Sequence, residues 1–321
     1  MLKRQAIPLF ALLLTALFVS ACGSATTTTG TPSKLTPSQI LQNSANTMKQ
    51  LKSAHVELQN TTAIQGLGSA IASASGTPAA GALTPTPAAG TPNANNASIK
   101  VTGTGDELLP DAAQFKLTLN QGTTISQVLQ GNKVYIQNAQ GKWYVLDKAA
   151  LQSTAGGSTF SGFNVDQNSL LGLLQHAKIT DHGDQQLNGE SLRHITADLD
   201  KQGLSQLIKD NPQFGGSGGQ QNIDAVLAKT KTFQSSVDVW IDEAKYYVHR
   251  TEVKISLGID ASAASGTPTA TGATPKIVTT SQDSIIDLSK FNDPVTITPP
   301  ANATPTNDPT VVLGGVGNAK P

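Results

Sequence analysis

Leu51-Lys52-Ser53-Ala54-His55-Val56-Glu57-Leu58-Gln59 changes its hydrophobic period in mid-course. Before it, Ile40, Leu41, Ala45, Met48 and Leu51 recur at helical spacing, which places one apolar stripe along a helix. From Ser53 onward Ala54, Val56 and Leu58 alternate with His55, Glu57 and Gln59, the pattern of a strand with one buried and one wet face. Antiparallel sheets show that alternation, whereas parallel strands read as continuous apolar runs. Thr36-Pro37 supplies the helix start, with Thr36 as N-cap and proline in the first helical position.

Working outward, the alternation returns at Ile99 and Val101, at Phe115, Leu117 and Leu119, from Ile125 to Leu129, at Val134 to Ile136 and at Trp143 to Leu146. Gly131-Asn132 and Asn138 to Gly141 separate these runs with turn chemistry, so they read as an antiparallel meander. A helix is predicted over Asp166 to His176, then a hairpin from Ile179 to Asp184 and Glu190 to Leu199 around Asn188-Gly189. A second helix over Gln202 to Lys209 and a short one near Ile223 to Leu227 precede strands at Phe233 to Ile241, Tyr246 to Leu257 and Lys276 to Leu288. The fold class is α+β: a curved antiparallel sheet with a few helices covering one face.

Four segments have no such periodicity: Gly23 to Lys34, Gly66 to Asn96, Ala261 to Thr274 and Ala301 to Pro321. Their Gly, Ala, Ser, Thr and Pro content cannot bury enough apolar surface to offset the entropy of ordering, so they are expected to be disordered. What remains is about 215 residues, one domain of ordinary size. The expected organisation is a tether over 22–35, a single domain over 36–299 with insertions near 66–96 and 261–274, and a disordered tail over 300–321.

The front of the chain is an export signal: Lys3 and Arg4, an apolar run from Ala6 to Val19, then small residues. The run is shorter than the roughly 20 residues a spanning helix needs. Val19-Ser20-Ala21-Cys22 resembles the bacterial lipobox, and Cys22 is the only cysteine in the chain. A lone thiol at a cleavage site reads as an acylation site. Residues 1–21 are thus expected to be a lipoprotein signal peptide, and the mature chain to be lipid-anchored through Cys22 on the extracytoplasmic face of the cell membrane.

Lys and Arg together number 22, as do Asp and Glu; losing Lys3 and Arg4 leaves 20 against 22. No basic field exists to hold a nucleic acid. No catalytic residue, metal ligand set or cofactor motif emerges. No serine stands in a Gly-x-Ser-x-Gly elbow, and Gly215 to Gly219 lacks the flanking residues of a phosphate cradle. Of the five histidines, His182 and His194 cluster with Asp181 and Asp184 across the Asn188-Gly189 hairpin. Counting from that turn pairs Asp184 with Arg193 and His194 with Gly183, which suggests an ion pair on a wet face and not a converging metal site. Core packing is the default for Trp143 and Trp240, with a ligand pocket as the alternative.

The order of elements resembles the LppX/LprA/LprF/LprG-type bacterial lipoproteins from about Ile40 to Pro299. Four stretches carry it: Leu51 to Val56; Gly131 to Ile136 with Trp143; Leu187-Asn188-Gly189 with Leu192 to Ile195; and Val239-Trp240-Ile241-Asp242. The resemblance implies a LolA/LolB-like half-barrel covered on its concave face by helices, with an apolar cavity for the acyl chains of a membrane lipid or lipoglycan. It implies no enzymatic activity. Val56, Leu58, Ile99, Val101, Phe115 and Leu117 are the residues expected to line that cavity, because their alternation leaves one apolar sheet face that must be covered. Sheltering two palmitoyl-length chains would gain on the order of 20 kcal/mol gross, so binding needs no polar chemistry. The competing expectation is a non-catalytic envelope module with a packed core that docks an envelope protein partner.

Overall fold

The computed structural model describes residues 35–66, 96–120, 122–138, 140–152, 167–210, 223–260 and 277–308. The lipobox and tether, most of both insertions, the Gly215 to Gly219 loop and the end of the tail lie outside the described residues.

Helix α1 (Pro37–Met48) begins as the sequence implies. The Thr36 hydroxyl accepts from the Gln39 backbone N–H, and the Gln39 side chain returns to the Thr36 backbone N–H, a reciprocal capping box. Its Ile40, Leu41, Ala45 and Met48 stripe is buried. The first half of the sheet comprises β1 (Ser53–Gln65), β2 (Asn96–Leu108), β3 (Ala112–Leu119), β4 (Thr124–Gln130), β5 (Lys133–Gln137) and β6 (Trp143–Asp147), and the short α2 (Lys148–Gln152) comes next. After α3 (Gln167–His176) come β7 (Ala177–Leu187), β8 (Glu190–Leu199), α4 (Lys201–Asp210) and the helical residues 223–229, here α5. Strands β9 (Thr230–Ile241), β10 (Val248–Asp260), β11 (Ile277–Ser289) and β12 (Thr304–Pro305) close the chain.

Among the described residues these strands form one sheet in the order β12-β6-β5-β4-β3-β2-β1-β11-β10-β9-β8-β7. β1 to β6 and β7 to β11 each run antiparallel in chain order, with α4 and α5 inserted between β8 and β9, and β1 joins the halves by pairing β2 on one side and β11 on the other. Every pairing is antiparallel except β12 with β6. β7 and β12 are the two free edges, so the curved sheet is not closed into a barrel. Helix α3 packs against both α1 and α4. The core lies between helices and sheet, where Leu170, Leu173, Leu204 and Leu227 join Ile136, Ile195, Val239 and Ile241.

Three of the departures from the expected boundaries have a local cause. β2 runs on to Leu108 through Gly103 and Gly105, whose missing side chains broke the visible alternation. β10 starts at Val248 and not at Tyr246, because Tyr246 has φ +62° and its N–H bonds the Asp242 carbonyl in a tight turn. The tail, expected to be disordered from 300, contributes β12: Thr304 and Pro305 lie beside Tyr144 and Val145, and the Thr306 N–H donates to the Val145 carbonyl. An exposed strand edge offers backbone partners even to a segment with few apolar side chains.

Candidate functional site

Register defines two faces of the sheet. Val56 and Leu58 stand opposite Gly105 and Gly103, which stand opposite Phe115 and Leu117; Asn60 and Leu119 flank Val101, and Thr62 flanks Ile99. Directly paired residues share a face, so all six expected cavity residues lie on one side, the inner side that the helices cover. Their surroundings differ. Val56, Leu58, Phe115 and Leu117 belong to the packed core. A Cβ built on Gly103 would meet Leu117 Cδ2 at 2.6 Å, and one on Gly105 would collide with Phe115 Cδ1 and the Gln114 carbonyl. The space beside the two glycines is therefore filled by those side chains, and no acyl chain fits there without rearrangement. Val101 marks the edge of the packed zone, and Ile99 beyond it is 56% exposed.

Past that edge the inner face is mixed and only half-buried, with Thr62, Gln282 and Thr280 standing beside Ile255 and Leu257 across the strands. Phe233, Ile255 and Leu257 pack there on the margin of the core with part of each side chain exposed, while Leu119 stands level with Val101 and Ile286 level with Leu58. Leu257 on β10 pairs with Phe233 on β9. This is the end of the sheet where β1 ends at Gln65 and β10 at Asp260.

Within the packed zone sits one acid, Glu107, paired with Ala54 and Ala113 and 3% exposed. Burial pushes its carboxyl up to about 7, because the charged form is poorly solvated there.

The opposite, outer face carries a row that crosses the sheet: His194, Trp240, Arg250, Asp287, Glu57, Thr104 and Lys116 are successive cross-strand neighbours. His194 stacks on Trp240 with centroids 4.3 Å apart and planes 2° apart, and His182 stacks on His194 at 4.5 Å. The Arg250 guanidinium lies 6.0 Å from the Trp240 ring centroid and makes two bonds to Asp287, of 2.6 and 2.7 Å. Trp240 is thus buried by stacking on the outer face, a correction to core packing as its default. Trp143, at the start of β6, is half-buried.

The pairings counted from the Asn188-Gly189 turn are those observed: Asp184 with Arg193 and Gly183 with His194. Asn188 and Gly189 have φ +53° and +87°, as a two-residue hairpin of right-handed twist requires. The wet face assigned to the ion pair needs correcting. Arg193 pairs with Ile241 on the inner side, its side chain is 8% exposed, and it reaches Asp181 at 2.7 Å and Asp184 at 3.4 Å. Burial alone would raise the Asp181 carboxyl, but the hydrogen bonds from Arg193 and the Gly183 N–H and the nearby Arg193 charge together outweigh it and hold the group below the usual range. The bulge at His182 sends the cluster to opposite faces. His182 meets Thr196 at 2.8 Å and His194 meets Asp238 at 2.9 Å, away from Asp181 and Asp184.

No protein-family model and no curated protein matches the sequence. Solved structures do. The lipoprotein LppX of Mycobacterium tuberculosis is 15% identical with a TM-score of 0.41, the match covering 81% of this chain and 97% of that one. LprF of Mycobacterium bovis is 15% identical with a TM-score of 0.42, covering 85% of this chain and all of that one, 100%. A putative outer membrane lipoprotein-sorting protein domain of Vibrio parahaemolyticus is 9% identical with a TM-score of 0.25, covering 81% and 93%. The chain is similar to the LppX and LprF lipoproteins, the group its sequence resembles, in having a large open antiparallel sheet with few helices.

Proposed function

We propose that this chain is a non-enzymatic, membrane-tethered lipoprotein of the cell envelope that takes the acyl chains of a lipid or lipoglycan against the inner face of its sheet and carries or presents them. The observation that carries the reading is the half-buried end of that face, where Phe233, Ile255 and Leu257 continue the core past Val101 and Ile99 stands exposed. Apolar side chains left partly in water gain about 25 cal/mol per Å² when covered, and an acyl chain is a cover of the right shape. A lipid anchor at Cys22 would hold this face within reach of a bilayer. Acyl chains seat at the half-buried end, with the filled space at Gly103 and Gly105 as the floor.

The packed-module reading has one observation in its favour, the filling of those glycine slots by Leu117 and Phe115. Mass spectrometry of an organic extract separates the two. The Cys22→Ala protein, which cannot be acylated, should carry co-purified acyl lipid, and a Leu257→Asp variant should lose it while keeping a cooperative thermal transition. A folded Cys22→Ala protein that carries no lipid and takes up no fluorescent fatty-acyl probe would overturn the proposal in favour of the packed module.

A further inference from the structure

We infer that the outer face carries a second site, for a neutral pyranose sugar within an oligosaccharide, in a cleft of about 590 Å³ between the β7–β8 turn, the β9–β10 turn and the end of β11. It lies at the opposite end of the sheet from the half-buried apolar zone, and it needs no acyl chain to be occupied. Its volume is that of an ordinary small-ligand site.

One wall is aromatic. Tyr247 and Phe291 stack with centroids 4.4 Å apart and planes 9° apart, and His249 meets Phe291 edge-on at 5.0 Å. Tyr247 and His249 present an apolar body beside a polar tip and Phe291 an apolar face, which suits the C–H face and hydroxyl rim of a pyranose. The wall is also held in place. Asn292 donates to the Tyr247 hydroxyl at 2.8 Å, accepts from the Lys52 N–H at 2.8 Å and gives its own N–H to the Ser53 carbonyl. Asn188, Tyr246, Lys290 and Asn292 are the non-glycine residues with positive φ among the described residues. All four line this cleft or adjoin residues that do. Asn188 and Tyr246 take their positive φ in the two turns that wall the cleft, and Lys290 and Asn292 in the run that carries Phe291.

The charges select the ligand class. Asp287 is engaged by Arg250, Glu190 by His249 at 3.0 Å and Asp242 by the Ala244 N–H at 2.8 Å. Those three carboxylates and Glu57 oppose an anion, while Lys245 and Lys290 on the same lining oppose a cation. A neutral molecule rich in hydroxyls, which both donates and accepts, satisfies a lining of both signs. A second cleft of about 430 Å³ shares Glu57 and Asp287 and continues the first past Thr102, Thr104 and Thr118, giving a longer glycan room for further residues.

The test uses the full mature chain carrying Cys22→Ala, titrated with maltohexaose, chitohexaose and a linear mannohexaose and followed by amide shift changes. At least one should bind saturably with shifts centred on Tyr247, His249 and Phe291. Glu57→Gln combined with Lys245→Met should weaken that binding about ten-fold, or 1.4 kcal/mol, with an unchanged thermal midpoint. Phe291→Leu should weaken it as well. The inference is overturned if none of the three sugars saturates, if both variants bind like the parent, or if inorganic phosphate or spermine shifts the same amides more than every sugar does. The probes have no acyl chains, so this outcome is independent of whether the inner face binds lipid.

Discussion

Glu107 is an acid placed where its charge is costly. Its carboxyl titrates near 7 when folded and near 4.5 when exposed, a difference of roughly 3 kcal/mol between protonation states. Below pH 4.5 the group is protonated in both states. As pH rises from there to 7, the unfolded chain ionises and the folded chain does not, so stability is lost across that window and levels off above it. Asp181 acts in the other direction and in a lower window, since its depressed carboxyl contributes stability that disappears as pH falls below the ordinary aspartate range. Unfolding free energies from urea titrations at pH 4 to 8 should therefore decline toward neutrality by up to about 3 kcal/mol, and Glu107→Gln should flatten that decline and be the more stable protein at pH 7.5. Parallel profiles for the two proteins would show that Glu107 does not titrate this way. The residue was not legible as a buried group in the sequence, because Gly103 and Gly105 interrupt the alternation and leave no face assigned to Glu107 beyond them.

Strands and helices were legible wherever one face was apolar over several residues. The N-cap at Thr36, the alternation of β1, β3, β4 and β5, and the Asn188-Gly189 turn all stand where local chemistry placed them. What a strand face packs against is a different matter. Leu117 is 1% exposed and already occupies the space beside Gly103, so Leu117→Trp should overpack the core and cost about 1 to 3 kcal/mol. Val101 is 9% exposed at the edge of the packed zone, next to the exposed Ile99. Val101→Trp should cost less, because its ring can lean over the half-buried end, and there it should also block acyl uptake. Thermal midpoints and fluorescent-lipid binding on both variants check this. Equal large losses of stability would mean that the packed zone extends past Val101.

At the scale of the whole molecule the sheet separates two surfaces, an inner one that turns from packed to half-buried along its length and an outer one crossed by a stacked and ion-paired row. A tether at Cys22 would determine what either surface meets. Cys22→Ser should yield a chain that no longer incorporates labelled palmitate and fractionates away from membranes, while its far-ultraviolet circular dichroism is unchanged; palmitate in that variant would refute the lipobox reading. The sequence alone determined most of the elements, the antiparallel pairing within the hairpins, the apolar side of β1 and of β3 to β5 and the expectation of an anchor, since periodicity, turn residues and a motif at a cleavage site are local properties of the chain. Only the tertiary structure decided that β1 joins the two meanders through β11, that β12 extends the sheet at β6, and that Trp240 lies between His194 and Arg250. It also decided that the apolar face is filled beside Gly103 and Gly105 but half-buried at Ile255 and Leu257. Those facts depend on contacts between residues far apart in the chain: a hydrophobic pattern states that a face must be covered, and volume matching between distant side chains decides what covers it.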